Sequence, residues 1–197
     1  NTAVGYNTGP DTTNLDNTTC VGTDASAIAS NMVRIGNIYV NSIGGQVGWT
    51  TLSDGRFKEN VREDIPGLAF INQLRPVSYE INREKVNDFT GLNARKLEQS
   101  GENSAFASDY RTEPISATTT GFIAQEVEAA AKNLGFQFSG VDAPKNENDM
   151  YGLRYAEFVV PLVKAVQEQQ QQIEELKTEN ASLEERLAAI ESKLSGK

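Results

Sequence analysis

The stretch VVPLVKAVQEQQQQIEELKTENASLEERLAAIESKLS, residues 159–195, decides the architecture. Val159, Leu162, Val166, Gln169, Ile173, Leu176, Asn180, Leu183, Leu187, Ile190 and Leu194 alternate intervals of three and four. That is a heptad register held for five repeats, with Val159, Val166, Ile173, Asn180, Leu187 and Leu194 at a and the others at d. At about 1.5 Å per residue the helix is a rod of roughly 50 Å, too long for the rest of the chain to cover. It therefore implies self-association. Gln169 and Asn180 are polar core positions, which cost stability but fix register and strand number. Val and Ile at a with Leu at d lean towards two strands, while the mixed tail leaves two and three both open. Arg186 and Glu191, at g and the following e, are spaced to pair between helices.

Working back from the rod, composition changes sharply twice. Residues 53–154 are mixed and charged, whereas residues 1–52 are rich in Asn, Thr and Gly and hold only four charges, Asp11, Asp16, Asp24 and Arg34. That leading segment has an internal repeat. Ala3-Val4-Gly5, Cys20-Val21-Gly22 and Arg34-Ile35-Gly36 each place a β-branched residue before a glycine, at intervals of 17 and then 14 residues. Short strands ending in glycine turns at such a period predict stacked coils. The pattern resembles the β-roll repeats in the heads of trimeric surface adhesins. It begins in mid-repeat, as the end of a longer fibre would. Cys20 falls where a small buried apolar residue fits, so a structural thiol is expected rather than a reactive one. Ile38-Tyr39-Val40 and Gln46 to Leu52 read as two strands joined through Gly44-Gly45, with Trp49 as a packing anchor.

In the middle segment, Asp64 and Pro66 precede Leu68, Phe70, Ile71 and Leu74, predicting a short helix ended by Pro76. Val77 to Ile81 alternates like a half-buried strand. Residues 83–120 are polar and non-periodic, and read as an excursion of loops or a hairpin. Ile123, Val127, Ala130 and Leu134 then fall at helical spacing, with Gly135 placed to cap the end.

Composition narrows the chemistry. The chain has 197 residues, a net charge of -9, one cysteine and no histidine. Imidazole-based catalytic sites and zinc sites cannot be built, and no internal disulfide can form. The acid excess argues against nucleic acid as a partner. The longest apolar runs are far short of the ~20 residues of a membrane span, and no basic-then-apolar leader pattern opens the sequence. No metal or cofactor fingerprint is present. Without histidine, a serine can still be activated by a lysine whose proton affinity has been lowered by burial or a neighbouring cation. Ser53 and Lys58 stand five residues apart across a turn. On spacing alone they are a surface serine and a solvated lysine.

Their context is more specific. Ser53-Asp54-Gly55-Arg56-Phe57-Lys58, then Leu74-Arg75-Pro76-Val77-Ser78-Tyr79, then Gly121-Phe122-Ile123-Ala124-Gln125-Glu126-Val127, then Tyr155 to Glu168 running into the coiled coil, occur in that order. Together they resemble the endosialidase-type intramolecular chaperone domain, a self-cleaving C-terminal module of phage tail spikes and fibres and of some cellular proteins. The resemblance implies a homotrimer that folds its own N-terminal fibre and then severs itself. Ser53 would be the nucleophile and Lys58 its general base, and Leu52–Ser53 the scissile bond, with the pair drawn from one chain or from two neighbours. Asp54, Arg56 and Gln125 would support the site, and a strained turn at Gly55 would hold the bond for attack. In the family, the region corresponding to 83–120 supplies arms that grip the passenger.

The resulting expectation is an α+β chain in three modules. Residues 1–52 form the end of a β-rich fibre, residues 53–154 a compact chaperone and autoprotease, and residues 155–197 a trimeric coiled coil. Its partners are two further copies and its own fibre, and its location is a virion, assembled in the cytoplasm, or a cell surface. A different reading is a non-cleaving trimerisation or attachment module of a viral or bacterial fibre.

Overall fold

The computed structural model describes residues 1–91 and 118–196. It is a mixed α/β structure of small sheets and one long C-terminal helix. Two compact units are present, and each contains more than one stretch of chain. The first comprises Asn1–Glu59, Ser78–Gly121 and Ala143–Tyr151; the second comprises Asn60–Val77, Phe122–Asp142 and Gly152–Lys197.

In the first unit the chain winds through short parallel strands. Strands β1 (Thr2–Val4), β3 (Thr19–Val21) and β5 (Val33–Ile35) form one sheet in the order β1-β3-β5, while β2 (Gly9–Pro10) and β4 (Ser26–Ala27) form another. Val4 pairs with Val21 and Val21 with Ile35, so the glycine spacing of the sequence is the register of the stack. Corners need left-handed backbone, which Asn and Asp tolerate. Asn7, Asn17, Asp24 and Asn31 all have φ between 49° and 59°. Their side chains bond one another from coil to coil: Asn7 Nδ2 donates to Asp24 Oδ1 at 2.7 Å and Asn17 Nδ2 to Asn31 Oδ1 at 2.8 Å. Gly5 is required by close approach, since a Cβ there would meet the Gly22 carbonyl oxygen at 2.5 Å. The coil interior is narrow and takes small side chains: Cys20, Ala25 and Ala27 are fully buried and Met32 nearly so.

Residues 37–52 differ from expectation. No strand forms there, and Trp49 is 89% exposed, so it anchors nothing within the chain. A turn at Asn37–Val40, closed by the Val40 N–H to the Asn37 carbonyl, takes Ile38-Tyr39-Val40 out of the stack. The same unit contains Ser78 and Tyr79 of β6 (Val77–Tyr79), which pairs with β7 (Thr119–Gly121), and helix α2 (Arg83–Phe89). Part of the polar excursion is thus helical, capped by Asn82, whose side chain accepts from the Lys85 N–H at 3.0 Å. The rest of the excursion, residues 92–117, lies outside the described residues.

The second unit has an aromatic core. Helix α1 (Leu68–Ile71) is a single turn, shorter than the apolar spacing predicts, because Pro76 and the turn at Asn72 to Leu74 end it early. Helix α3 (Ala124–Asn133) buries Val127 and Ala130 of the expected face, together with Ala131, while Ile123 and Leu134 at its ends are exposed. Gly135, at φ 63°, turns the chain so that the Phe136 N–H returns to the Ala131 carbonyl at 2.9 Å. That places Phe136 and Phe138 against the fully buried Phe70, at centroid distances of 5.3 and 4.9 Å. Strands β8 (Val141–Asp142) and β9 (Gly152–Leu153) form an antiparallel pair, and a 3-10 turn at Tyr155–Phe158 adds Phe158 to the core.

Helix α4 (Val159–Ser195) then runs for 37 residues. Its first turns bury Pro161 and Ala165 against α1. The approach is close: a Cβ on Gly67 would lie 2.7 Å from the Ala165 nitrogen, and the Leu68 N–H donates to Glu168 Oε2 at 2.7 Å. From Gln169 to Gly196 every residue is exposed. The apolar a and d side chains are between 44% and 72% exposed along the whole helix.

Candidate functional site

The residues singled out at 53–58 fold as one local turn. Asp54 caps a 3-10 turn at Gly55–Phe57, its Oδ1 accepting from the Arg56 N–H at 2.9 Å. The Lys58 N–H closes the turn on the Gly55 carbonyl at 3.2 Å. Arg56 returns over the cap, donating through Nε and Nη2 to both Asp54 oxygens, and its guanidinium lies 5.6 Å from the Phe57 ring centroid. The Arg56 side chain, followed by its N–H, holds the Asp54 carboxyl below the usual carboxylate range, and the carboxylate in turn raises Arg56. This fork fixes the turn by electrostatics rather than by apolar packing.

The turn brings Ser53 and Lys58 together. Lys58 Nζ donates to Ser53 Oγ at 2.8 Å. A serine hydroxyl in contact with an amine has the geometry for proton transfer once the amine is neutral. Ser53 and Lys58 are both exposed in the single chain, and Leu52 is 78% exposed.

One expectation fails here. Gly55 is not among the residues of positive φ, no peptide bond is cis among the described residues, and a Cβ on Gly55 would meet nothing within 4 Å. The turn is unstrained, so strain does not hold the Leu52 carbonyl for attack.

Gln125 is exposed in the first turn of α3, in the second compact unit, whereas Ser53, Asp54, Arg56 and Lys58 belong to the first. Its neighbour Glu126 has a defined structural role. Arg75 donates through Nε and Nη2 to the two Glu126 oxygens, which raises Arg75 further. The pair ties two of the separated blocks of the sequence to each other. Sequence reasoning missed this contact, although both residues stood in blocks already singled out.

Among known families, residues 53–136 match the one described as chaperone of endosialidase. Over residues 53–136 the chain is similar to that family. The matched stretch starts at Ser53, the residue that Lys58 contacts, and ends at Phe136, just past the Gly135 cap of α3. It includes the Arg75–Glu126 pair, the first part of the aromatic core and the Asp54–Arg56 fork. No curated protein and no solved structure matches the chain. Among the described residues no cluster of three or more His, Cys, Asp or Glu is placed to hold a metal ion, and no helix is long and apolar enough to cross a membrane.

Proposed function

We propose that this chain gathers three copies of itself, assists the folding of the fibre that ends at Leu52, and then cuts the Leu52–Ser53 bond. The chaperone role follows from the family; the cut and the trimer are inferred. The observation that carries the cut is the 2.8 Å contact between Lys58 Nζ and Ser53 Oγ at the first residue of the chaperone domain. Neutral Lys58 takes the Ser53 hydroxyl proton, and Oγ attacks the Leu52 carbonyl carbon. The amide nitrogen leaves with the proton returned by Lys58, converting amide to ester. Water then hydrolyses the ester to a Leu52 carboxylate and a free Ser53 hydroxyl. The attacker is tethered next to its target, so proximity is supplied by the covalent chain.

Exposure of the pair supports a link between cutting and assembly. A lysine becomes a useful base only when something desolvates it. Among the described residues nothing covers this one, and the uncovered stripe of α4 supports the presence of neighbouring copies. Three modules, with boundaries at 52/53 and 154/155, and a virion or cell-surface location complete the reading. The parallel coils at residues 2–35 support a β-roll fibre end. Incubating the chain with Ser53→Ala and Lys58→Ala controls tests the cut: two fragments are expected from the parent and one from each variant. Parent chain that stays whole as a folded oligomer refutes it. A non-cleaving trimerisation module is favoured by one observation, the unstrained turn at Gly55, and predicts that whole chain.

A further inference from the structure

Asp54-Gly55 is the one Asp-Gly pair in the sequence, which has no Asn-Gly. Aspartate before glycine is chemically vulnerable, because no side chain shields the glycine nitrogen from the preceding carboxyl. The nitrogen of Gly55 can attack Asp54 Cγ. A C–N bond forms, a carboxyl oxygen leaves as water, and a five-membered imide closes. Water then opens the imide. Opening at Cγ restores aspartate, whereas opening at the main-chain carbonyl carbon leaves isoaspartate, with the chain running through the former side chain.

The reaction needs an accessible nitrogen and a neutral, freely turning carboxyl. The turn supplies the first. Gly55 is exposed, a Cβ there would meet nothing within 4 Å, and among the described residues nothing accepts its N–H. The second is withheld by Arg56. Its Nε donates to Asp54 Oδ1 and Oδ2 at 3.1 and 3.0 Å, and its Nη2 donates to Oδ2 at 2.6 Å. Oδ1 also accepts the Arg56 N–H at 2.9 Å. Both oxygens are therefore held towards residue 56, and Cγ cannot turn to face the Gly55 nitrogen. The same bonds keep the carboxyl ionised, and a carboxylate is a poor target for a nucleophile. Nothing in the apolar core takes part: the Asp54 side chain is 32% exposed and that of Arg56 81%.

We propose that Asp54–Gly55 is a site of spontaneous isomerisation to isoaspartate, and that the Arg56 fork is the lock that keeps it slow in the folded chain. Isoaspartate adds one methylene to the main chain between Ser53 and Lys58 and removes the carboxylate that caps the turn. The 2.8 Å contact between Lys58 Nζ and Ser53 Oγ depends on that turn, so an uncut chain that isomerises loses its pairing. Only this last consequence rests on the proposed function; the rearrangement does not.

The test uses full-length Ser53→Ala protein, so that no cut intervenes, incubated at one mildly acidic pH. Isoaspartate at residue 54 is counted by electron-transfer peptide mapping and by enzymatic carboxyl methylation. The folded protein should isomerise at least about tenfold more slowly than a free peptide of residues 51–60 with the same Ser53→Ala change. Adding Arg56→Ala should speed the folded protein about tenfold, with circular dichroism showing that the fold persists. Arg56→Lys, which keeps a charge but not the two-oxygen fork, should speed it by less. Gly55→Ala on top of Arg56→Ala should return the rate to that of the locked protein or below, because the methyl group crowds the attacking nitrogen. Folded protein that isomerises as fast as the peptide overturns the lock, whatever the variants do. An Arg56→Ala protein as slow as its parent overturns it too. Neither result depends on whether Ser53 and Lys58 cleave.

Discussion

Gly67→Ala probes the junction that seats the long helix on its domain. A Cβ at residue 67 would stand 2.7 Å from the Ala165 nitrogen and 2.6 Å from Glu168 Oε2. The carboxylate can swing away, but the nitrogen belongs to the backbone of α4 and cannot. Relief to an ordinary contact requires α1 and α4 to separate by about 0.7 Å. That movement drags Phe70, which is fully buried, and stretches the 2.7 Å bond from the Leu68 N–H to Glu168. Overpacking of this kind costs about 1–3 kcal/mol, and weakening a hydrogen bond to a charged group adds about 1 kcal/mol. A total of about 2–4 kcal/mol lowers the melting temperature of a chain this size by about 5–15 °C. Circular dichroism melts at fixed protein concentration measure it. Gly55→Ala is the control, because a Cβ there meets nothing within 4 Å and the melt should not move. A Gly67→Ala protein that melts within a degree of the parent would refute the packing argument.

Other expectations are simpler to state. Cys20 is fully buried in the coil interior, so thiol reagents should modify it only as fast as the stack opens; immediate modification of folded protein contradicts the stacking. Leu176→Glu with Leu183→Glu places charges on the uncovered stripe of α4 and should reduce the proposed trimer to monomer in sedimentation velocity, whereas an unchanged oligomeric mass refutes assembly through α4. The Asp54–Arg56 fork has a defined acid limit. Because the folded Asp54 pKa is depressed, its contribution is whole above the unfolded value of about 3.9 and is lost as pH falls through the lower folded value. NMR titration of the Asp54 carboxyl should therefore show a midpoint below the ordinary carboxylate value; a midpoint at or above it removes the fork.

The parts of the fold legible in the sequence are those governed by local period. Glycines at 5, 22 and 36 marked the strand register because each coil needs left-handed or crowded backbone at the same point. Helix α3 followed from 3.6-residue apolar spacing, down to the buried Val127 and Ala130 and the Gly135 end, and α4 from its heptads. Residues 37–52 misled because Ile38, Val40, Val47 and Leu52 have strand-like composition but no partner strand, and pairing decides a strand more than propensity does. At the site, adjacency of Ser53 and Lys58 needed only a turn of five residues. Arg75 with Glu126 and Tyr39 with Asn87 are 51 and 48 residues apart, and nothing in local pattern joins such positions. The presence of Gly55 promised strain that the backbone does not contain; a glycine permits unusual angles without requiring them.

The central claim is that Ser53, with Lys58 as base, cuts its own chain at Leu52–Ser53 in a trimer. Intact mass spectrometry of the purified protein, paired with light scattering, addresses both halves together. The account predicts two fragments that meet between Leu52 and Ser53, a trimeric mass, and whole chain in Ser53→Ala. A folded trimer of uncut chains would contradict it.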